Sequence, residues 1–203
     1  MNAPIQHTIP AEIGTPFEGG FYAGKLNCDG VVYALIVSPK AAGETEMLWG
    51  EYGKDIHGAR SCFNGLANTQ AMAEAGSALA KWALDLNINS HTDWYLPSRN
   101  ELEMLYRAFK PTSEENCCSF RDGDNASSIP AGYLYTEQEP AQTVASAFQD
   151  GGAEAFEDVW YWSSTQFSPH DAWGQDFADG DQNDGRKYDE LRARAVRRIL
   201  LSN

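Results

Sequence analysis

Apolar residues in this chain come in short runs, and the longest is VVYALIV, Val31–Val37. A membrane-crossing helix needs roughly 18 or more apolar residues in succession, so no bilayer span is expected. Short runs separated by turn residues favour short strands and modest helices. A composition of 42% hydrophobic and 12% aromatic residues is rich enough to bury a core, which argues against disorder. The formal net charge of −14 works against a nucleic-acid partner, because displacing phosphate counterions needs a basic surface. The expectation is an acidic, loop-rich globular protein.

The N-terminus, MNAPIQHTIPAEIGTP, is rich in Pro and lacks a basic stretch followed by an apolar one. It reads as an arm over residues 1–16 with no signal peptide, leaving residues 17–203 as a single domain made in a cytoplasm. Cys28, Cys62, Cys117 and Cys118 contain no CxxC pair, which suits free thiols better than a zinc knuckle.

FYAGKL and VVYALIVS flank Asp29-Gly30 and predict a hairpin, with residues 47–49 as a third strand of the same sheet. Met72, Ala75, Leu79, Trp82 and Leu86 recur at helical spacing and predict one helix over 66–86, capped by Asn68 or Thr69. A second helix is marked by Pro97 and a capping-box pair, Ser98 and Glu101, followed by the stripe Leu102, Leu105, Tyr106 and Phe109 and a stop at Pro111. Residues 111–158 read as an insertion with a short helix near 142–148. Aromatic strands follow at 160–165 and 172–177. In LRARAVRRIL, arginine and alanine alternate as on a half-buried strand.

Residues 150–190 hold eleven acids and only Arg186 and Lys187 as bases, whereas Arg192, Arg194, Arg197 and Arg198 follow with no acid. These arginines are expected to pair with carboxylates nearby in the fold.

His7, His57, His91 and His170 are scattered, and no HExxH, GxSxG or P-loop pattern occurs. Asp179, Asp181, Asn183 and Glu190 have the spacing of oxygen ligands in a calcium loop, although Asp184 stands where such a loop needs glycine. The same residues also suit a solvated turn. Phe167, in a turn-rich stretch beside Gln166 and Ser168, is the aromatic expected to face solvent.

DWYLPSRNELEMLY (residues 93–106) and YWSST…AW…F…G…K…RARAVRRI (residues 161–199) resemble the Lcl C-terminal domain family, a bacterial and prophage family with no general reaction assigned. Trp94, Leu96, Pro97, Ser98, Glu101 and Leu102 match its first motif. Tyr161, Trp162, Ser163, Ser164, Thr165, Trp173, Phe177, Gly180, Lys187, Arg194, Val196 and Arg197 match its second. Arg192-Ala193 departs from the usual closing strand. The resemblance implies an α+β, C-type-lectin-like fold: two helices, a small antiparallel sheet joining the chain ends, and a loop-rich second sheet. It also implies a variable face over 166–187. The expected function is non-catalytic recognition of a host surface glycan or protein by a phage or prophage virion or surface module. The ligand face would use Gln166, Phe167, His170, Trp173, Gln175, Asp176, Gln182 and Asn183. A structural virion component that contacts other virion proteins, with a homo-oligomer allowed, is the alternative. Catalysis is not expected: the distantly related formylglycine-generating enzymes need a reactive cysteine pair with which none of the four cysteines aligns.

Overall fold

The computed structural model describes residues 8–201; residues 1–7 of the expected arm, His7 included, lie outside the described residues. The fold is α+β, with two five-stranded sheets and a set of short helices. No helix among the described residues is long and apolar enough to cross a membrane.

The hairpin forms as its turn predicts. β2 (Gly20–Cys28) and β3 (Val31–Val37) meet at Asp29 and Gly30, both with positive φ, 53° and 82°. β1 (Pro16–Phe17) and β5 (Ser128–Ile129) pair with β2, and β10 (Val196–Leu200) pairs antiparallel with β3. One sheet therefore joins the two ends of the described chain.

The second sheet has the order β4-β9-β6-β7-β8. Its strands are β4 (Glu44–Leu48), β6 (Trp160–Gln166), β7 (Asp171–Asp176), β8 (Gln182–Arg186) and β9 (Glu190–Arg194). The strand predicted at 47–49 thus belongs to this sheet, not to the hairpin sheet. The reason is the closing segment, which changes sheets at Ala195. Its first half, β9, takes β4 as partner, with Glu44 opposite Arg194. Ala195 N–H bonds Gly43 O at 2.8 Å, its carbonyl accepts Ser38 N–H at 3.0 Å, and β10 then joins β3. This change of sheet also overrides the expected alternation, and Arg194 is fully buried together with both neighbouring alanines.

After the single turn α1 (Lys40–Gly43), the helix predicted over 66–86 is two helices, α2 (Gly65–Glu74) and α3 (Ala78–Leu84). Gly76 adopts φ 102° and donates to Ala73 O, while Ser77 N–H reaches Met72 O, the two bonds of a Schellman stop. Ser77 then caps α3. The cap of α2 is Asn64; Asn68 and Thr69 lie inside that helix, buried.

α4 (Arg99–Phe109) carries the expected capping box, and Leu102, Leu105, Tyr106 and Phe109 all face the core. Glu101 exceeds its capping role. Besides Ser98 N–H at 2.7 Å it accepts Gly65 N–H at 3.0 Å and the Tyr95 hydroxyl at 2.8 Å. One carboxylate thus satisfies free N–H groups at the starts of both α2 and α4. In the insertion, the helix expected at 142–148 is only a 3-10 turn, Ser146–Phe148.

Three of the terminal arginines find carboxylates as expected. Arg192 pairs with Glu44 at 2.7 Å, Arg194 with Glu154 at 2.6 Å and Arg197 with Asp93 at 2.7 Å.

A candidate recognition cleft beside the second sheet

β6 ends where Ser164 and Thr165 turn their hydroxyls inward. Ser164 N–H and hydroxyl both bond Pro97 O, at 2.7 and 3.1 Å. The Thr165 hydroxyl donates to Ser61 O and accepts Arg99 N–H, at 2.8 and 2.9 Å. The two sequence motifs therefore meet, and their polar residues satisfy backbone groups at their junction. Gly180, with φ 84°, lies so close to the Tyr106 ring that an added Cβ would sit 2.4 Å from it. The motif residues build the support of a surface rather than the surface itself.

That surface begins one residue beyond β6. Phe167 stands edge-to-face against Trp173 of β7, with centroids 5.2 Å apart. Register places Trp173 opposite Asp184 of β8. The Arg99 guanidinium packs 4.8 Å from the Trp173 ring and bonds Gln182 Oε1 at 3.0 Å. From the insertion, Phe120 and Arg121 complete the wall, with Arg121 5.6 Å from the Trp173 centroid. Phe120, Arg121, Phe167, Trp173, Gln182, Asn183 and Asp184 line a cleft of about 250 Å³, with Arg99 behind its floor. Phe120 is 80% exposed and Phe167 48% exposed, a large cost in uncovered aromatic area for a free surface. Burial and nearby carboxylates raise the Asp181 carboxyl above its ordinary value, and burial followed by Asp171 does the same for Asp184.

The predicted ligand residues divide. Phe167, Trp173, Asn183 and Gln182 line the cleft, though Gln182 is itself buried. Gln166 and Gln175 are corrections. Gln175 is fully buried, and its amide donates to the Tyr135 hydroxyl and Gly180 O, both at 3.2 Å. Gln166 is 3% exposed. Internal partners decide this: Gln166 is held by Ile56, Asp55 and Lys187, and Gln175 by Tyr135, Gly180 and Gln182. His170 is exposed but lies in a separate aromatic group, 4.7 Å from Tyr52. Asp176 accepts Ala178 N–H at a turn, outside the cleft. Phe120, Arg121 and Asp184 escaped sequence reasoning. The insertion has no period to place Phe120, and its one visible signal is an isolated aromatic beside an arginine in a polar stretch.

The calcium-loop spacing does not become a calcium loop. Asp179 Oδ1 accepts Asp181 N–H at 3.0 Å, and from Gln182 the chain runs as strand β8. Glu190 begins β9, which β6 and β7 separate from β8. A strand cannot wrap a cation as a loop does. Among the described residues, the group that does converge is Cys117, Asp122 and Asp181, with one ligand atom from each within 4.8 Å of the others. Burial pushes the Cys117 thiol up to about 11, and both oxygens of the buried Asp122 already accept N–H groups, from Ser119 and Gln182.

The family model of the Lcl C-terminal domain matches residues 43–197. The chain belongs to this family. No curated protein matches it. The matched span includes the first motif, the second as far as Arg197, the whole insertion and the cleft, and it leaves out β1 to β3 and the end of β10. In this member of the Lcl C-terminal domain family the residues of the two motifs map mainly onto scaffold, while Phe120, Phe167 and Asn183 occupy the rim.

Proposed function

We propose that this chain is a non-catalytic recognition module, C-type-lectin-like in arrangement, which sits on a virion or bacterial surface. It binds a host glycan or protein through the face of β7 and β8 and the adjoining insertion loop. One observation carries the reading: two exposed aromatic rings, Phe120 and Phe167, flank Trp173 in a cleft whose rim is Asn183, Asp184 and Arg121. Rigid rings offer contact area at little entropic cost, and the amide, carboxylates and guanidinium offer directed hydrogen bonds.

The test is a glycan array with a host-cell adsorption assay, run on the native chain and on Phe120→Ala, Phe167→Ala, Trp173→Ala and Asn183→Ala. Removal of a central ring is expected to weaken binding about tenfold or more. Unchanged binding by all four variants sinks the assignment.

A structural virion component is the second reading, favoured by the exposed apolar residues of the insertion. Val144 is 94% exposed, Tyr133 56% and Leu134 51%. Labelling the protein in a purified particle separates the two, because a receptor binder sits at the tail tip and a structural component lies among its neighbours.

A further inference from the structure

Gln166, misplaced by sequence reasoning onto the ligand face, has an unusual set of neighbours. Its carbonyl oxygen accepts Ile56 N–H at 2.9 Å and lies 2.7 Å from Lys187 Nζ. Its amide nitrogen donates to Asp55 Oδ1 at 2.5 Å. Lys187 is fully buried, with Nζ 4.7 Å from the Trp49 ring centroid and its other hydrogen bond given to Lys54 O at 2.7 Å. Two neutral carbonyls, not a carboxylate, receive its protons. Burial lowers the amine to about 8, so roughly a tenth is neutral and nucleophilic at neutral pH.

We propose that Lys187 and Gln166 join in an intramolecular isopeptide bond. The electrophilic carbon is one covalent bond beyond the oxygen that Nζ already touches, so little motion separates contact from attack. Ile56 N–H stabilises charge as it develops on that oxygen. The neutral Nζ adds its lone pair to Gln166 Cδ, and the bond from Cδ to Nε2 breaks. The proton lost by Nζ ends on the departing nitrogen, which leaves as ammonia. Asp55 Oδ1, which also accepts from Arg60 Nη2 at 2.7 Å, holds the departing nitrogen in place. No oxidant or reductant is required. The burial of both residues keeps water from competing for the carbonyl. The link would close the loop from the end of β6 to the turn after β8. Trp173 and Asn183 lie inside that loop, so the cleft's floor would be held covalently. A separate failure of the recognition reading leaves this chemistry untouched.

The experiment is intact-mass measurement of the full chain under denaturing conditions, with a peptide map. The expected mass is one ammonia below that of the sequence, with a branched peptide that joins the segments of Gln166 and Lys187. Ring closure at Asn64-Gly65 would also release ammonia, so the branched peptide is the deciding product. Lys187→Arg should restore the full mass, and Asp55→Ala should reduce the branched fraction several-fold. The full sequence mass, with residues 166 and 187 only in separate linear peptides after days folded at mildly alkaline pH, overturns the proposal. That measurement uses the native chain and does not depend on whether a variant folds.

Discussion

The motif junction and the insertion are both rich in buried polar groups, yet they are stabilised in opposite ways. At the junction, short elements start and stop regularly, and Glu101 satisfies groups on α2, α4 and Tyr95 at once. Across 111–158, regular structure amounts to the two-residue β5 and one 3-10 turn. There, side chains do what a ladder would do elsewhere. Asn116 donates to the carbonyls of Thr136, Glu137 and Pro140 and accepts the Tyr106 hydroxyl at 2.7 Å. Asn125 donates to Asn100 O and to Glu103 at 2.6 Å. A buried backbone must be satisfied, and irregular chain achieves this through Asn and Arg side chains instead of repeats.

The contrast predicts different ways to fail. Glu101→Ala leaves three buried donors without an acceptor at the point where two helices begin, and it should cost about 4 kcal/mol of global stability. Urea unfolding should remain one transition, moved to lower denaturant. A loss under about 1 kcal/mol would mean that the junction tolerates unsatisfied donors. Asn116→Ala also strips several bonds, but from irregular chain. Its expected cost is about 2 kcal/mol, felt first as local opening. Limited proteolysis should cut within 111–158 well before the sheets unfold. Cleavage only on global unfolding would make the insertion part of the same cooperative unit as the junction and erase the distinction.

This difference also explains what could be read from the chain. Ser98, Glu101 and the stripe down to Phe109 define α4 within a dozen residues, and Asp29-Gly30 does the same for the hairpin. Gly76-Ser77 held a legible break, a left-handed stop followed by a cap, but the continuous apolar spacing from Met72 to Leu86 hid it. Arg194 was illegible for a deeper reason. Its partners are Glu154 and the Ser38 carbonyl, and no local period announces that a strand is about to change sheets. At the cleft, Phe167 was readable from its turn-rich surroundings, and Asn183 only from the family resemblance. Phe120 and Arg121 were not, since what brings them to Trp173 is the path of the insertion.

Between the two regions stands Glu103, buried on α4 and bonded to Arg107 at 3.0 Å and to the Tyr135 hydroxyl at 2.9 Å. Burial raises its carboxyl above the ordinary 4.5, although Arg107 pulls the other way. A raised carboxyl takes up a proton on folding. Its contribution to stability is therefore greatest below the unfolded value and falls as pH rises through the folded one. Glu103→Gln removes this dependence while keeping the shape. The native chain should gain stability relative to the variant as pH is lowered from neutral to about 4.5. A difference that is constant with pH would show that Arg107 and Asn125 compensate the charge fully.

The smallest expected effect on stability falls on a residue of the binding cleft. Phe120 belongs to the insertion but supports none of its bonded carbonyls, and 80% of it faces solvent. Its one aromatic contact of note is the Arg121 guanidinium, 4.8 Å from the ring centroid. Phe120→Ala should therefore change stability by less than about 0.5 kcal/mol. Proteolysis of the insertion should be unchanged, in contrast to Asn116→Ala. Adsorption to host cells should nevertheless drop, because the ring forms one wall of the cleft over Trp173. A loss of stability equal to that of Asn116→Ala would instead make Phe120 part of the internal support of the insertion, and the contrast between bonded loop and open rim would fail at that residue.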